Sequence, residues 1–198
     1  MIPQPSQSIS SNKIHYLDIG VDSNTDLIRW APNSQTVFRL DILAARATAR
    51  ESYFLRLEKS GSRTVFRKKN GLTFVIAAEE SVQFQLLEAI LDEVMSQFFE
   101  IYGSICCDIL TGMTNMFEGF QHKLPEIIAY VENDKVVWVR AECKVCSENH
   151  KVCIRKSLIQ NAKDYPVSIV FMHMGHGLLL YIDANFRVRG AELVDITG

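Results

Sequence analysis

The stretch Thr64-Val-Phe-Arg-Lys-Lys-Asn-Gly-Leu-Thr-Phe-Val-Ile76 decides the fold of the N-terminal part of this chain. Two strand-length runs, Thr64–Lys68 and Leu72–Ala78, flank the dipeptide Asn70-Gly71. Asn-Gly between apolar runs is a strong signal for a tight hairpin turn, because both residues tolerate a positive φ. The stretch therefore predicts two antiparallel strands, and we expect the apolar second strand to lie away from the sheet edge, covered by a helix.

That covering helix is predicted directly after the hairpin, where the apolar period changes. From Ser81 onward apolar residues recur every three or four positions, at Leu87, Ile90, Leu91, Val94 and Phe98. Ser81 is the expected N-cap, and Gly103 is expected to end the helix. A second helix is predicted from the apolar residues Ile109, Met113, Met116, Phe117 and Phe120, with Pro125 as its limit.

Four elements are predicted before the hairpin. Lys13–Ile19 and Thr25–Trp30 flank a cluster of turn-forming residues and predict a β-hairpin. Ser34–Arg50 fits a strand as well as one helix face, and its alanine and leucine content favours the helix. Tyr53–Glu58 predicts a further strand. The predicted order is therefore β-β-α-β-β-β-α-α.

This order and the local sequence together resemble the clathrin-adaptor small subunits and their longin relatives. The resemblance spans residues 13 to about 130 and is carried by residues 64–76, Leu87-Glu-Ala-Ile90, Phe98-Phe99 and Ile105-Cys-Cys-Asp108. It implies an α+β, longin-like fold, a mainly antiparallel five-stranded sheet with three helices. It also implies a non-catalytic role in which the domain binds an adaptor-like subunit or a small GTPase. The sorting-peptide pocket of the adaptors is not carried over, because the helix between Leu87 and Ile105 needs a one-residue gap to match.

The composition indicates one full globular domain with a small appendage. The chain has 198 residues, 47% apolar and 22% charged, and its formal charge of -2 shows no basic surplus that would favour nucleic acid. No apolar run reaches the roughly 18 residues that a membrane span needs. Residues 1–12 lack the pattern of a secretory signal and are expected to form a disordered tail. Five cysteines without a regular disulfide pattern predict a reducing, cytoplasmic setting. The resemblance adds a peripheral position at membranes, through a partner, as an alternative.

Residues 131–198 are predicted to form a separate small α+β unit. The predicted strands are Val136–Val139, His150–Arg155, Val167–Met174 and Leu178–Ile182, with a short helix at Ser157–Lys163 and a last extended segment at Phe186–Ile196. A unit of this size has a marginal core of its own. We therefore expect it to be tied by a metal ion or stabilised by packing on the first domain.

A zinc site is the specific hypothesis for this unit. Cys143, Cys146, His150 and Cys153 offer four thiol or imidazole ligands within eleven residues, a donor set that suits tetrahedral zinc. His150 and Cys153 are three residues apart, so in a regular strand their side chains would project from opposite faces. His173 or His176, on either side of Gly175, is the alternative source of a ligand. Without a metal, the cysteines would be small packing residues and the histidines a solvated pair at a strand end.

Three classes of function remain open at this point. A non-catalytic docking or assembly module is the leading hypothesis, because the resemblance points to it and the sequence carries no phosphate-binding loop, dinucleotide fingerprint or hydrolase motif. The alternative is a zinc-binding or thiol-dependent enzyme, with Cys143 and Cys146 as a redox pair or Cys153 and His150 as nucleophile and base. Self-association as a homodimer through unpaired edge strands is the third hypothesis.

Overall fold

The computed structural model describes residues 11–21, 25–32, 39–103, 114–173 and 175–194. The protein is of the mixed α+β class and forms two compact units, residues 1–132 and residues 133–198. Within the described ranges, no helix is both long and apolar enough to cross a lipid bilayer.

The first unit contains five strands and four α-helices among its described residues. The strands are β1 (Ile14–Val21), β2 (Asp26–Trp30), β3 (Leu55–Lys59), β4 (Ser62–Lys69) and β5 (Leu72–Glu79). The helices are α1 (Arg39–Thr48), α2 (Phe84–Tyr102), α3 (Glu118–Gln121) and α4 (Leu124–Tyr130), with single 3-10 turns at Ser11–Lys13 and Thr114–Phe117.

The strands form one antiparallel sheet in the order β2-β1-β5-β4-β3, which confirms the predicted five-stranded sheet. The turn between β4 and β5 is the expected one, because Asn70 and Gly71 both adopt a positive φ, of 50° and 77°. β5 is the central strand, and all its residues except Glu79 are buried. The prediction that this apolar run lies inside the sheet is confirmed.

Helices cover both faces of this sheet. On one face, Phe74 of β5 packs edge-on against Phe98 of α2, with ring centroids 5.7 Å apart. On the other face, Val75 and Ala77 belong to an apolar cluster with Ile42 and Ala45 of α1. Successive residues of β5 therefore serve opposite layers, as the alternation of side chains along a strand requires.

Several predicted details of the first unit are corrected by the structure. Ser81 does not cap α2: the N-cap is Gln83, while the Ser81 hydroxyl donates to Glu79 and accepts from Lys13. Pro125 lies in the first turn of α4 and begins a helix rather than ending one, since a missing N–H costs nothing at that position. Met116 and Phe117 lie in a 3-10 turn, and Phe120 lies in α3.

Other predictions fall wholly or partly outside the described residues. These are Ile109, Met113 and Ile105–Asp108, the start of the predicted helix Ser34–Arg50, and residues 1–10 of the predicted tail. Ser11 and Asn12 of that tail form part of a 3-10 turn. The described part of the first predicted helix is α1, which begins at Arg39.

A buried ion-pair network fastens α1 to the first hairpin. Nη2 of Arg46 lies 2.6 Å from a carboxylate oxygen of Asp18 and 2.6 Å from one of Asp26, and the side chains of Arg46 and Asp18 are 3% and 0% exposed. Burial raises the pKa of Asp18, and the charge of Arg46 opposes that rise. Gly20 makes room for the guanidinium, because a Cβ atom there would overlap Nη2 of Arg46. The sequence pattern gave no indication of this network.

The second unit is built from two β-layers. Its elements are β6 (Val136–Cys143), β7 (Glu148–Arg155), α5 (Lys156–Gln160), β8 (Val167–His173), β9 (His176–Ile182) and β10 (Val188–Val194), and a π-helical turn at Val131–Lys135 precedes β6. β6 and β7 form an antiparallel hairpin, and the other three strands form an antiparallel sheet in the order β10-β9-β8. The first strand is longer and the helix shorter than predicted, whereas Met174 and residues 195–196 lie outside the described part.

The inner faces of the two layers share one apolar core. Val139, Ala141 and Val152 of the hairpin belong to the same buried cluster as Phe171 and Leu180 of the three-stranded sheet. Cys143 is part of this cluster, and Cys146 packs against its edge. The core therefore ends at the turn between β6 and β7, where the sulfur atoms of Cys143 and Cys146 lie.

Candidate metal centre

The first part of the candidate site is the turn between β6 and β7, which is built around Cys143. The backbone N–H of Ser147 donates to the carbonyl oxygen of Cys143 at 2.7 Å, and Ser147 closes the turn with a φ of 58°. The backbone N–H groups of Cys146 and Val145 point at the Cys143 sulfur. The hydrogen bond from the Cys146 N–H is the main cause that lowers the pKa of the Cys143 thiol, although burial acts in the opposite direction. This turn is thus arranged to stabilise a thiolate.

The second sulfur atom lies beside the first. Cys146 is partly buried, and its thiol and that of Cys143 are hydrogen-bonded to each other. Burial raises the pKa of the Cys146 thiol, whereas the backbone N–H of Glu148 donates to its sulfur and opposes that rise. Both cysteines are in the reduced, thiol form. The CxxC segment therefore presents two adjacent sulfur donors at one end of the core.

Two imidazoles reach the same place from different strands. Nε2 of His150, on β7, lies 3.5 Å from the Cys146 sulfur, and Nε2 of His173, the last residue of β8, lies 3.1 Å from it. The centroids of the two rings are 3.6 Å apart. Phe171 lies behind them, with its ring centroid 6.0 Å from that of His150 and 6.3 Å from that of His173. One thiol and two imidazole nitrogens thus converge against an apolar wall.

A carboxylate completes the group. Glu148 lies two residues before His150 on the same strand, and its Oε2 is 4.0 Å from His150 Nε2. Ligand atoms of Cys146, Glu148, His150 and His173 all lie within 4.8 Å of one another, so this group could hold a metal ion. The side chain of Glu148 is 64% exposed, whereas that of His150 is 16% exposed. Glu148 is therefore the most solvated member of the group.

Cys153 is not brought to this group. The β6–β7 register is regular from Val136↔Arg155 to Cys143↔Glu148, so alternation along β7 decides which side chains share a face. Ala141 pairs with His150 and Val139 with Val152 on the core side, whereas Cys153 pairs with Trp138 on the other side. Of the four residues that the sequence assigned to a metal, the structure brings Cys146 and His150 into the group. Cys143 lies beside Cys146 but outside the set whose ligand atoms are within 4.8 Å of one another, and Cys153 lies elsewhere.

In the sequence, His173 is only an alternative ligand, and Glu148 is not among the predicted ligands. The signal for His173 was the glycine turn after β8, but the position of that turn next to the CxxC turn depends on how two hairpins pack, which no local pattern reveals. The signal for Glu148 was its spacing of two from His150, which places both side chains on one strand face. No protein-family model matches this chain, and no curated protein matches it significantly.

Proposed function

We propose that this protein is a non-catalytic docking module whose C-terminal unit is held together by one structural zinc ion. The proposed ligands are Cys143, Cys146, His150 and His173. The observation that carries the metal assignment is the 3.1 Å contact between Cys146 Sγ and His173 Nε2, with His150 Nε2 at 3.5 Å from the same sulfur. Donor atoms from two separate hairpins meet at one point, as a metal that ties the hairpins together would require.

Zinc is the metal that this donor set suits best. Two thiolates and two imidazoles in a tetrahedral arrangement are a common structural zinc set, whereas magnesium and calcium prefer oxygen ligands. Glu148 lies within reach of the other three ligands, but its carboxylate is mostly exposed. We assign the fourth position to Cys143, because its thiol is hydrogen-bonded to that of Cys146 and backbone N–H groups point at its sulfur; a small movement of the turn would bring it to the ion. Glu148 would then remain in solvent beside the metal.

A structural role fits this site better than a catalytic one. Four protein ligands would leave no open coordination position for a substrate or an activated water. The alternative of a thiol-dependent enzyme with Cys153 as nucleophile and His150 as base requires those two side chains within hydrogen-bond reach, and they lie on opposite faces of β7. For a unit of this size, the binding free energy of a structural zinc ion, about 10 kcal/mol in small metal-dependent domains, adds to the free energy of folding.

The docking role is assigned to the first unit through its architecture. The sheet order β2-β1-β5-β4-β3, with α1 on one face and α2 on the other, supports the longin-like fold that the sequence resemblance implies. Longin-like domains act by binding other proteins through their surfaces. By this resemblance the proposed partner is an adaptor-like subunit or a small GTPase.

The zinc proposal is tested by metal analysis combined with hydrogen exchange. Protein purified without chelator should contain about one zinc per chain, as one four-ligand site predicts. Removing the metal with a chelator should speed amide exchange in β6 to β9 and leave β1, β4 and β5 protected, because only the second unit depends on the ion. A zinc content well below one per chain would refute the site.

The docking proposal needs its own experiment. The full chain, immobilised and loaded with zinc, should retain a discrete protein from native lysate, and purified partner and chain should then bind each other directly. Lys123→Glu and Lys163→Glu, at exposed lysines in the first and second unit, serve as a matched pair of surface variants. If only the variant in the second unit weakens binding, the result would contradict a docking surface on the longin-like unit.

A further inference from the structure

β8 is an unusual edge strand. In the described part of the chain, sheet edges are formed by β2, β3, β6, β7, β8 and β10. Every one of these except β8 carries at least two of the residues Asp, Glu, Lys and Arg, whereas β8, with the sequence Val-Ser-Ile-Val-Phe-Met-His, carries none. Charged side chains on edge strands are the usual protection against pairing with another chain. β8 lacks that protection.

The exposed face of β8 is apolar as well. Phe171 is buried in the core, but Val170 and Met172 on the opposite face are 45% and 46% exposed. The six residues from Val167 to Met172 contain no proline, glycine or charge, a composition that favours addition of a further strand. An exposed apolar edge with an apolar outer face favours pairing with a further strand.

We propose that β8 pairs with β8 of a second copy of this chain, antiparallel and across a two-fold axis at Val170. Pairing about Val170 sets Ile169 opposite Phe171 of the partner copy and Ser168 opposite Met172, and no like charges meet. Antiparallel pairing of a strand with itself is isologous, so it closes at two copies. The result is a continuous six-stranded sheet in the order β10-β9-β8-β8-β9-β10.

The choice of a second copy rests on charge. The uncharged β8 strand can pair with itself without burying a charge, whereas every other described edge strand of this protein carries charged residues that would enter such a pair. One strand per copy buries less than the roughly 1,200 Å² of a standard stable interface, so the dimer is expected to be concentration-dependent. This inference goes beyond the proposed function and requires only that the second unit is folded.

The test uses the full chain in analytical ultracentrifugation from about 1 µM to about 300 µM, a range that covers weak dimers. The wild type should shift from monomer to dimer. Val170→Lys and Val170→Glu should each remain monomeric, because like charges face each other across the axis. An equimolar mixture of the two variants should dimerise again, because Lys then faces Glu. Leu193→Lys, at an apolar position 54% exposed on the opposite edge of the same sheet, is the matched control and should dimerise like the wild type.

The outcomes that overturn the inference are equally specific. A wild type that stays monomeric over the whole range, a Val170→Lys variant that dimerises normally, or a mixture that stays monomeric would each refute pairing at β8. A monomeric wild type that binds an uncharged extended peptide would assign the edge to a different partner. Exchange protection of β9, measured on the same samples, establishes that the second unit is folded in each variant.

Discussion

Sγ of Cys146 lies 3.1 Å from Nε2 of His173, although the two residues are 27 positions apart and belong to different hairpins. This contact between a thiol and an imidazole links the turn after β6 to the end of β8. A second imidazole, that of His150, and a second thiol, that of Cys143, lie beside it. A metal ion at this point would fasten together the two layers whose inner faces form the core of the second unit.

His173→Ala should remove a metal ligand. We expect zinc binding to weaken by at least about 100-fold, beyond the range typical of changes outside the ligand shell. Competition with a chromophoric chelator measures this affinity. His122→Ala, at an exposed histidine in the first unit, is the control for removing an imidazole.

Cys153→Ala separates the two candidate ligand sets, because it should keep full zinc content if His173 is the ligand. Loss of zinc in Cys153→Ala with retention in His173→Ala would contradict the proposed set.

Arg46→Met should destabilise the first unit strongly. It leaves the carboxylate of Asp18 buried without its closest cationic partner, and breaking a buried ion pair in this way costs about 3–5 kcal/mol. Denaturant dependence of amide exchange in β1 reports the loss. Arg29→Met is the matched control, because Arg29 is 32% exposed and its removal should cost about 1 kcal/mol or less.

A second variant isolates the pairwise effect at Arg46. Asp18→Asn combined with Arg46→Met removes the buried charge together with its partner, so the double variant should be more stable than Arg46→Met alone. Purely additive losses, or equal effects of Arg46→Met and Arg29→Met, would show that the buried pair has no special role.

Asp183 should titrate below its ordinary value of 3.8. The backbone N–H groups of Arg187 and Asn185 donate to its carboxylate at 2.9 Å and 2.8 Å. Nε of Arg189 lies 2.6 Å from the same carboxylate. The hydrogen bond from the Arg187 N–H is the main cause that lowers the pKa of Asp183. A depressed pKa in the folded state means that the stabilisation is fully present above pH 3.8 and is lost as the pH falls through the folded value. NMR titration of the Asp183 carboxyl carbon measures this pKa.

The Arg189→Gln variant tests how that shift is shared. Removing the guanidinium should raise the pKa of Asp183 but leave it below 3.8, because the two backbone donors remain. A wild-type value at or above 3.8, or a variant in which the whole shift disappears, would contradict the assigned cause.

Local sequence signals predicted those elements whose geometry is determined locally. The Asn70-Gly71 turn and the buried position of β5 follow from backbone preference and apolar content, and both were predicted. Ser81 was a wrong N-cap because its hydroxyl has better partners in Glu79 and Lys13, and Pro125 was wrong as a helix end because proline suits a first helical turn equally well.

The remaining features depend on contacts between elements distant in sequence. His173 comes near Cys146 only because two hairpins pack face to face, and Arg46 meets Asp18 only because α1 packs on the sheet face that β1 and β5 share. Periodicity assigned His150 and Cys153 to opposite faces of a strand, and the register of β7 shows that arrangement. The sequence could therefore indicate the type of ligand but not which distant residue completes the set.

X-ray absorption at the zinc edge, on protein purified without chelator, tests the central claim most directly. Two sulfur ligands at about 2.3 Å and two nitrogen ligands at about 2.0 Å are expected for Cys143, Cys146, His150 and His173. A shell with one sulfur and a carboxylate oxygen would replace Cys143 by Glu148, and a sample without a zinc edge would contradict the site altogether.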